Sequence, residues 1–112
     1  MKREFIYFRI FDKNWRDLGL ADDDLQQLEN IIIENPFAGK LIKGAGGLRK
    51  MRMPMFDQGK SGGIRVLYVD FASYEKTVIM NVYPKSAQDS ITDKQKNEYN
   101  KLIGLLLKEL RK

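Results

Sequence analysis

Three consecutive stretches of the chain alternate apolar and polar residues with a period of two, and turn-forming residues separate them. In residues 48–55, Met51, Met53 and Met55 fall on one side while Lys50 and Arg52 fall on the other. Residues 64–71 and 77–83 are rich in Val, Ile and Tyr, and a turn near Ser73 joins them. A glycine-rich hairpin loop over residues 57–63 joins the first two stretches. Strands this close in sequence pair antiparallel, so the second half of the chain reads as a three-stranded meander.

What surrounds the meander sets the fold class. Residues 2–11 read as a first strand, with Ile6, Phe8 and Ile10 on one face and Phe5, Tyr7 and Arg9 on the other. Phe11, Trp15 and Leu18 then fall at helical spacing, and Gly19 is a stop. Residues 22–35 form a better helix. Asp22 is positioned to cap it, Leu25, Leu28, Ile31 and Ile32 make its apolar stripe, and Asn35-Pro36 ends it. Residues 37–47 are a glycine-rich loop. A last helix spans residues 93–110, opened by a capping box of Thr92 and Gln95, with Tyr99, Ile103, Leu106 and Leu110 on its buried face. The expected fold is therefore α+β, in the order β-α-α-β-β-β-α, an antiparallel-rich sheet with helices packed on one face. At 112 residues it is a single domain, residues 1–112, because halving it leaves neither part a sufficient core.

Composition removes several classes of function. With no cysteine there is neither a disulfide framework nor a thiolate metal site. With no histidine, the commonest general acid-base residue and metal ligand is missing. No apolar run approaches the ~20 residues that span a bilayer, and the segment after Met1 does not read as a signal peptide. A soluble, cytoplasmic protein without cofactor or metal is expected.

The formal net charge is +5, unevenly spread. Residues 40–65 carry +6, from Lys40, Lys43, Arg49, Lys50, Arg52, Lys60 and Arg65 against Asp57. Residues 12–39 carry −5, from Asp12, Asp17, Asp22, Asp23, Asp24, Glu29 and Glu34 against Lys13 and Arg16. A cationic segment of this density attracts polyanions. Folding the two hairpins sets Arg52 near Arg65, and Arg65 opposite Val82 or Tyr83, which gathers Lys50, Arg52, Arg65, Tyr83 and Lys85 at one end of the sheet. A one-residue slip reverses a strand's faces, so the register decides this.

Arginine forks and lysine ammoniums around an aromatic ring suit single-stranded RNA: the cations hold phosphates and the ring stacks a base. Cleavage then needs neither histidine nor metal. A ribose 2′-hydroxyl attacks its own phosphate, a lysine crowded by cations and so readily deprotonated takes the proton, and arginines stabilise the phosphorane. A further cation or a tyrosine protonates the leaving oxygen. The plainer alternative is that the charge run is a solvated face and the three methionines are core.

Other signals fail. Gly59-Lys60-Ser61 lacks the upstream glycine of a phosphate-binding loop, since Pro54 stands there. Gly44-Ala45-Gly46-Gly47 precedes a strand pattern, not the helix a dinucleotide turn needs. Asp22-Asp23-Asp24 at a helix start is better used as caps than as a cation site.

The run Gly46 to Arg52, the run Gly59 to Tyr68 and the segment Val82-Tyr83-Pro84-Lys85 closely resemble the HigB branch of the RelE/ParE toxin superfamily. The resemblance extends over nearly the whole chain, including the Asp93-Lys94-Gln95-Lys96 helix opening. It implies a RelE-like fold and the toxin of a type II toxin-antitoxin system, a ribosome-dependent, metal-independent messenger-RNA endoribonuclease that inhibits translation. It also implies a cognate antitoxin, a HigA-like helix-turn-helix protein through which DNA is contacted indirectly. Matched by motif, Lys50, Arg52, Arg65 and Lys85 are the expected catalytic residues, with Arg49, Lys43, Lys60 and Tyr83 binding RNA. Ile91 stands where the family often has a tyrosine, and Lys85-Ser86-Ala87 lacks a glutamate common in the related branch, so base and acid stay unassigned. Two other readings share this fold or charge: a ParE-like gyrase-binding toxin without nuclease activity, and a non-catalytic RNA- or ribosome-binding module.

Overall fold

The computed structural model describes residues 3–55, 60–88 and 90–112, with only the backbone for residues 54, 55 and 60–62. The described residues form β1 (Glu4–Tyr7), α1 (Arg9–Asp17), α2 (Asp22–Glu34), β2 (Lys40–Leu41), β3 (Arg49–Met55), β4 (Lys60–Phe71), a 3-10 turn (Ala72–Tyr74), β5 (Lys76–Pro84) and α3 (Asp93–Leu110). The strands make one five-stranded sheet in the order β1-β5-β4-β3-β2. β1 runs parallel to β5, and the remaining pairs are antiparallel. The expected α+β class and the meander β3-β4-β5 are present.

Central strand β4 explains the layering. Val66-Leu67-Tyr68-Val69 are all buried, so both faces of the sheet must be covered. Ile64, Val66 and Tyr68 pack with Met51, Met53 and Ile79 against Phe11 and Trp15 of α1 and Leu28 and Ile32 of α2. Leu67, Val69 and Phe71 pack with Val78 and Met80 against Ile103 of α3. Helices therefore lie on both faces, correcting the expectation of one. Each fully buried large apolar side chain contributes roughly 1.5–3 kcal/mol, so neither layer is dispensable.

Four boundaries differ from the sequence reading. The first strand ends at Tyr7, and Phe8, in extended conformation, is the N-cap of α1. The side chains dictate this: Tyr7, Phe11 and Trp15 stack in series, with ring centroids 5.5 and 5.2 Å apart, which requires helical rather than strand spacing beyond Phe8. Asp22 is the first helical residue rather than the cap of α2. Ala21 caps it, its N–H donating to the Asp24 carboxylate at 2.8 Å. The loop over residues 37–47 contains the two-residue strand β2, paired to β3 through Lys40↔Lys50 and Leu41↔Arg49. Of the expected hairpin loop, residues 57–59 lie outside the described residues, whereas residues 60–63 belong to β4.

Two polar devices hold the frame. Buried Arg3 bonds the Asp70 carboxylate and donates to Thr77 Oγ1 at 3.3 Å, locking β1 beside β5 at one end of the sheet. On the other side, Tyr68 Oη donates to the Pro36 carbonyl and accepts the Gly39 N–H, both at 2.8 Å. Burial pushes the Tyr68 hydroxyl above the ordinary phenol range. A Cβ at Gly39 would sit 2.7 Å from the Tyr68 ring, so only glycine lets the backbone approach this closely. This corner delivers Lys40 to the sheet edge.

Candidate RNA-binding and cleavage site

The site begins with an irregularity in β5. Below it, Tyr68 pairs with Ile79; above it, Leu67 pairs with Asn81, leaving Met80 as an extra residue. The bulge changes the phase of the strand. Ile79 and Val82 both face the α1/α2 core, although they stand three positions apart, while Met80 and Tyr83 both face the α3 side. Strict alternation would put Tyr83 on the other face. Asn81 fixes the bulge: its Oδ1 accepts the Val82 N–H and the Asn14 amide, each at 2.8 Å, and its Nδ2 donates to Tyr99 Oη at 3.4 Å.

With that phase set, Arg52 is the cross-strand partner of Arg65, and Arg65 of Tyr83. The three lie in one row across β3, β4 and β5, on the face that carries α3. Lys50 shares the face, paired to Leu67. The α3 core reaches as far as Leu67, and the row lies one step beyond it. Arg52 is exposed, whereas Arg65 is 2% exposed and donates from Nη1 to the Ile64 carbonyl at 3.3 Å. Its charge thus forms the floor of the row, in surroundings that screen it far less than water does. Lys85, with an exposed side chain, follows at the same end, its N–H donating to the Gly63 carbonyl at 3.1 Å.

Not every expected residue comes here. Arg49 belongs with Met51 and Met53 by alternation, so it points to the opposite face. There it donates to the Gly39 carbonyl at 2.8 Å and its guanidinium lies 4.8 Å from the Phe37 ring centroid. It braces the Gly39 corner. Lys43 is exposed on the turn after β2, apart from the row. The Lys60 side chain lies outside the described residues.

Lys40 and Lys96 were not singled out from the sequence. Together with Lys50 they line a cavity of about 190 Å³ whose apolar walls are Leu41, Ile42 and Ile91. Around the open edge of β3, where β2 has ended, Lys40, Lys50 and Arg52 also line a second hollow of about 450 Å³. Lys96 had a sequence signal: it sits three residues before Tyr99 and seven before Ile103, on the core-facing stripe of α3 extended one turn back. Ile91, 8% exposed, plugs the α3 core where the family resemblance would place a tyrosine.

A small α+β domain with a cationic row on the α3 face of its sheet is the architecture described. The chain matches the family model described as the RelE toxin of the RelE/RelB toxin-antitoxin system over residues 4–112, and it belongs to that family. It is similar in fold to a double arginine-to-alanine mutant of the E. coli toxin RelE in the free state. That match has a TM-score of 0.56 at 18% identity, covering 80% of this chain and 90% of that one. It is also similar to a chain of the intact E. coli RelBE toxin-antitoxin complex, with a TM-score of 0.52 at 20% identity, covering 73% and 95%. Among the described residues, no helix is long and apolar enough to cross a membrane.

Proposed function

We propose that this RelE-family toxin is a ribosome-dependent messenger-RNA endoribonuclease of the HigB branch, acting in the cytoplasm without a metal ion. The row Arg52–Arg65–Tyr83 beside Lys50 carries the reading. A ribose 2′-hydroxyl attacks the adjacent phosphorus and loses its proton to a lysine, for which Lys50 and Lys85 are the candidates. The phosphorane gathers negative charge on its equatorial oxygens, where Arg52 and the buried Arg65 stabilise it. The 5′-oxygen leaves with a proton from the other of the two lysines, giving a 2′,3′-cyclic phosphate and a 5′-hydroxyl. Tyr83, partly buried in the row, stacks a base and orients the nucleotide.

The E. coli RelE relative is found in complex with an antitoxin. For this chain the matching proposal is an antitoxin of the HigA-like helix-turn-helix kind, which silences the toxin by covering the cationic face with acidic and apolar residues. The test is a defined message on purified ribosomes, with product ends mapped. Cuts inside the coding region ending in 5′-hydroxyls are expected. Gyrase poisoning with an intact message would put a ParE-like binder in place of the nuclease. Message that is bound with steep salt dependence but never cut would reduce the protein to an RNA-binding module.

A further inference from the structure

The cavity of about 190 Å³ between β2, β3 and the segment entering α3 stands next to the proposed cleavage row and is not required by it. Three lysines line it from three elements: Lys40 from β2, Lys50 from β3 and Lys96 from α3. Lysines that line a small hollow suit a single phosphate, which a compact ammonium meets as a point charge, rather than the planar fork with which arginine grips a carboxylate. Leu41, Ile42 and Ile91 give it apolar walls, against which a ribose or base edge packs.

Its position sets which phosphate it fits. Lys50 and Arg52 project from the same face two residues apart on β3, and so stand ~7 Å from each other at the rise of a strand. One nucleotide of extended backbone covers a similar length. Lys50 therefore lies at the junction of row and cavity. We infer that the cavity is a subsite for the RNA phosphate one nucleotide away from the scissile one, held by Lys40 and Lys96 with Lys50 shared between the two positions. The inference rests on the nuclease reading for its register along the strand, and on the cavity alone for phosphate binding. Among the described residues, Lys96 makes a loose pair with Asp93 at 3.8 Å. Asp93 is fully exposed, so such a pair is weak and screened.

The test uses the whole protein and a single-stranded RNA oligonucleotide carrying 2′-O-methyl groups, which binds but cannot be cut. Affinity is followed by fluorescence anisotropy from low to high salt. Lys40→Gln and Lys96→Gln should each lower the slope of log K against log salt, and together by about 0.7, because the two lysines share one phosphate contact. Lys96→Glu should weaken binding further than Lys96→Gln. Both lysines sit at exposed or half-exposed positions, and matching circular dichroism will show that the variants fold. On ribosomes, the same substitutions should raise KM by a larger factor than they lower kcat. Unchanged salt slopes would overturn the inference. So would loss of binding to a polyglutamate peptide with RNA affinity retained, since the cavity would then serve an acidic protein. If the wild type binds the oligonucleotide yet cuts no message, the nuclease reading fails while the slopes still judge the cavity.

Discussion

Asn81→Ala should damage this protein more than its half-buried position suggests. Asn81 Oδ1 accepts the Val82 N–H at the bulge and the Asn14 amide from α1, both at 2.8 Å. Truncation leaves the Val82 N–H, on a residue 1% exposed, without that acceptor. An orphaned buried donor costs about 1–3 kcal/mol, and the lost Asn14 bond adds about 1 kcal/mol. The sum is about 2–4 kcal/mol, which for a domain of this size lowers the melting temperature by about 4 °C per kcal/mol, hence roughly 8–16 °C. Asn81→Asp keeps the Oδ1 acceptor and should recover most of the loss, with the 3.4 Å contact to Tyr99 reversed so that the tyrosine hydroxyl donates. Urea denaturation of the three proteins gives the comparison. Because the bulge sets the phase of Tyr83, cleavage should fall alongside stability in Asn81→Ala, even at temperatures where the variant is fully folded. A variant within about 0.5 kcal/mol of wild type, with normal cleavage, would show that the side chain does not hold the bulge.

Two further outcomes follow from individual contacts. Tyr68→Phe removes a hydroxyl serving both Pro36 and Gly39, and should cost about 1–3 kcal/mol while speeding amide exchange through β2, whose Lys40 the corner delivers to the cavity. Full stability and unchanged exchange would remove that corner's structural role. Burial raises the Glu29 carboxyl above its ordinary value of 4.5, so protonation is favoured in the folded state. Its contribution is therefore fully present below the unfolded pKa and is lost as pH rises from about 4.5 through the higher folded value. Relative to Glu29→Gln, the wild type should lose stability across that window, as measured by denaturation at several pH values, and a flat or opposite difference would contradict the sign.

What the sequence disclosed and withheld follows from which interactions are local. The last helix, with its Thr92–Gln95 box, was legible to the residue because capping depends on side chains within one turn. The pairing of Arg52 with Arg65 was legible because one short hairpin separates them. The partner of Arg65 was open between Val82 and Tyr83, and no local pattern resolves it. The extra residue in β5 is stabilised by Asn14 and Tyr99, which come from two helices distant in sequence. For the same reason, the end of the first strand was misjudged at Phe8: an alternating run and a helical one overlap there, and packing against Trp15 decides. Arg49 was grouped with the RNA-binding cations because charge density says nothing about sides, whereas its alternation with Met51 places it on the opposite face. Lys40 was hidden because a strand of two residues leaves no periodic trace.

The account depends most on Arg52 and Arg65 acting upon one phosphate. Single-turnover cleavage of a ribosome-bound message should be measured for wild type, Arg52→Ala, Arg65→Met and the double variant, with Met chosen to keep the length of the buried side chain. Each single substitution should slow the chemical step by about 10²–10³. The double should be slowed by much less than the product of the two, since charges sharing one transition state do not act independently. Folded variants that cut as fast as wild type would contradict it.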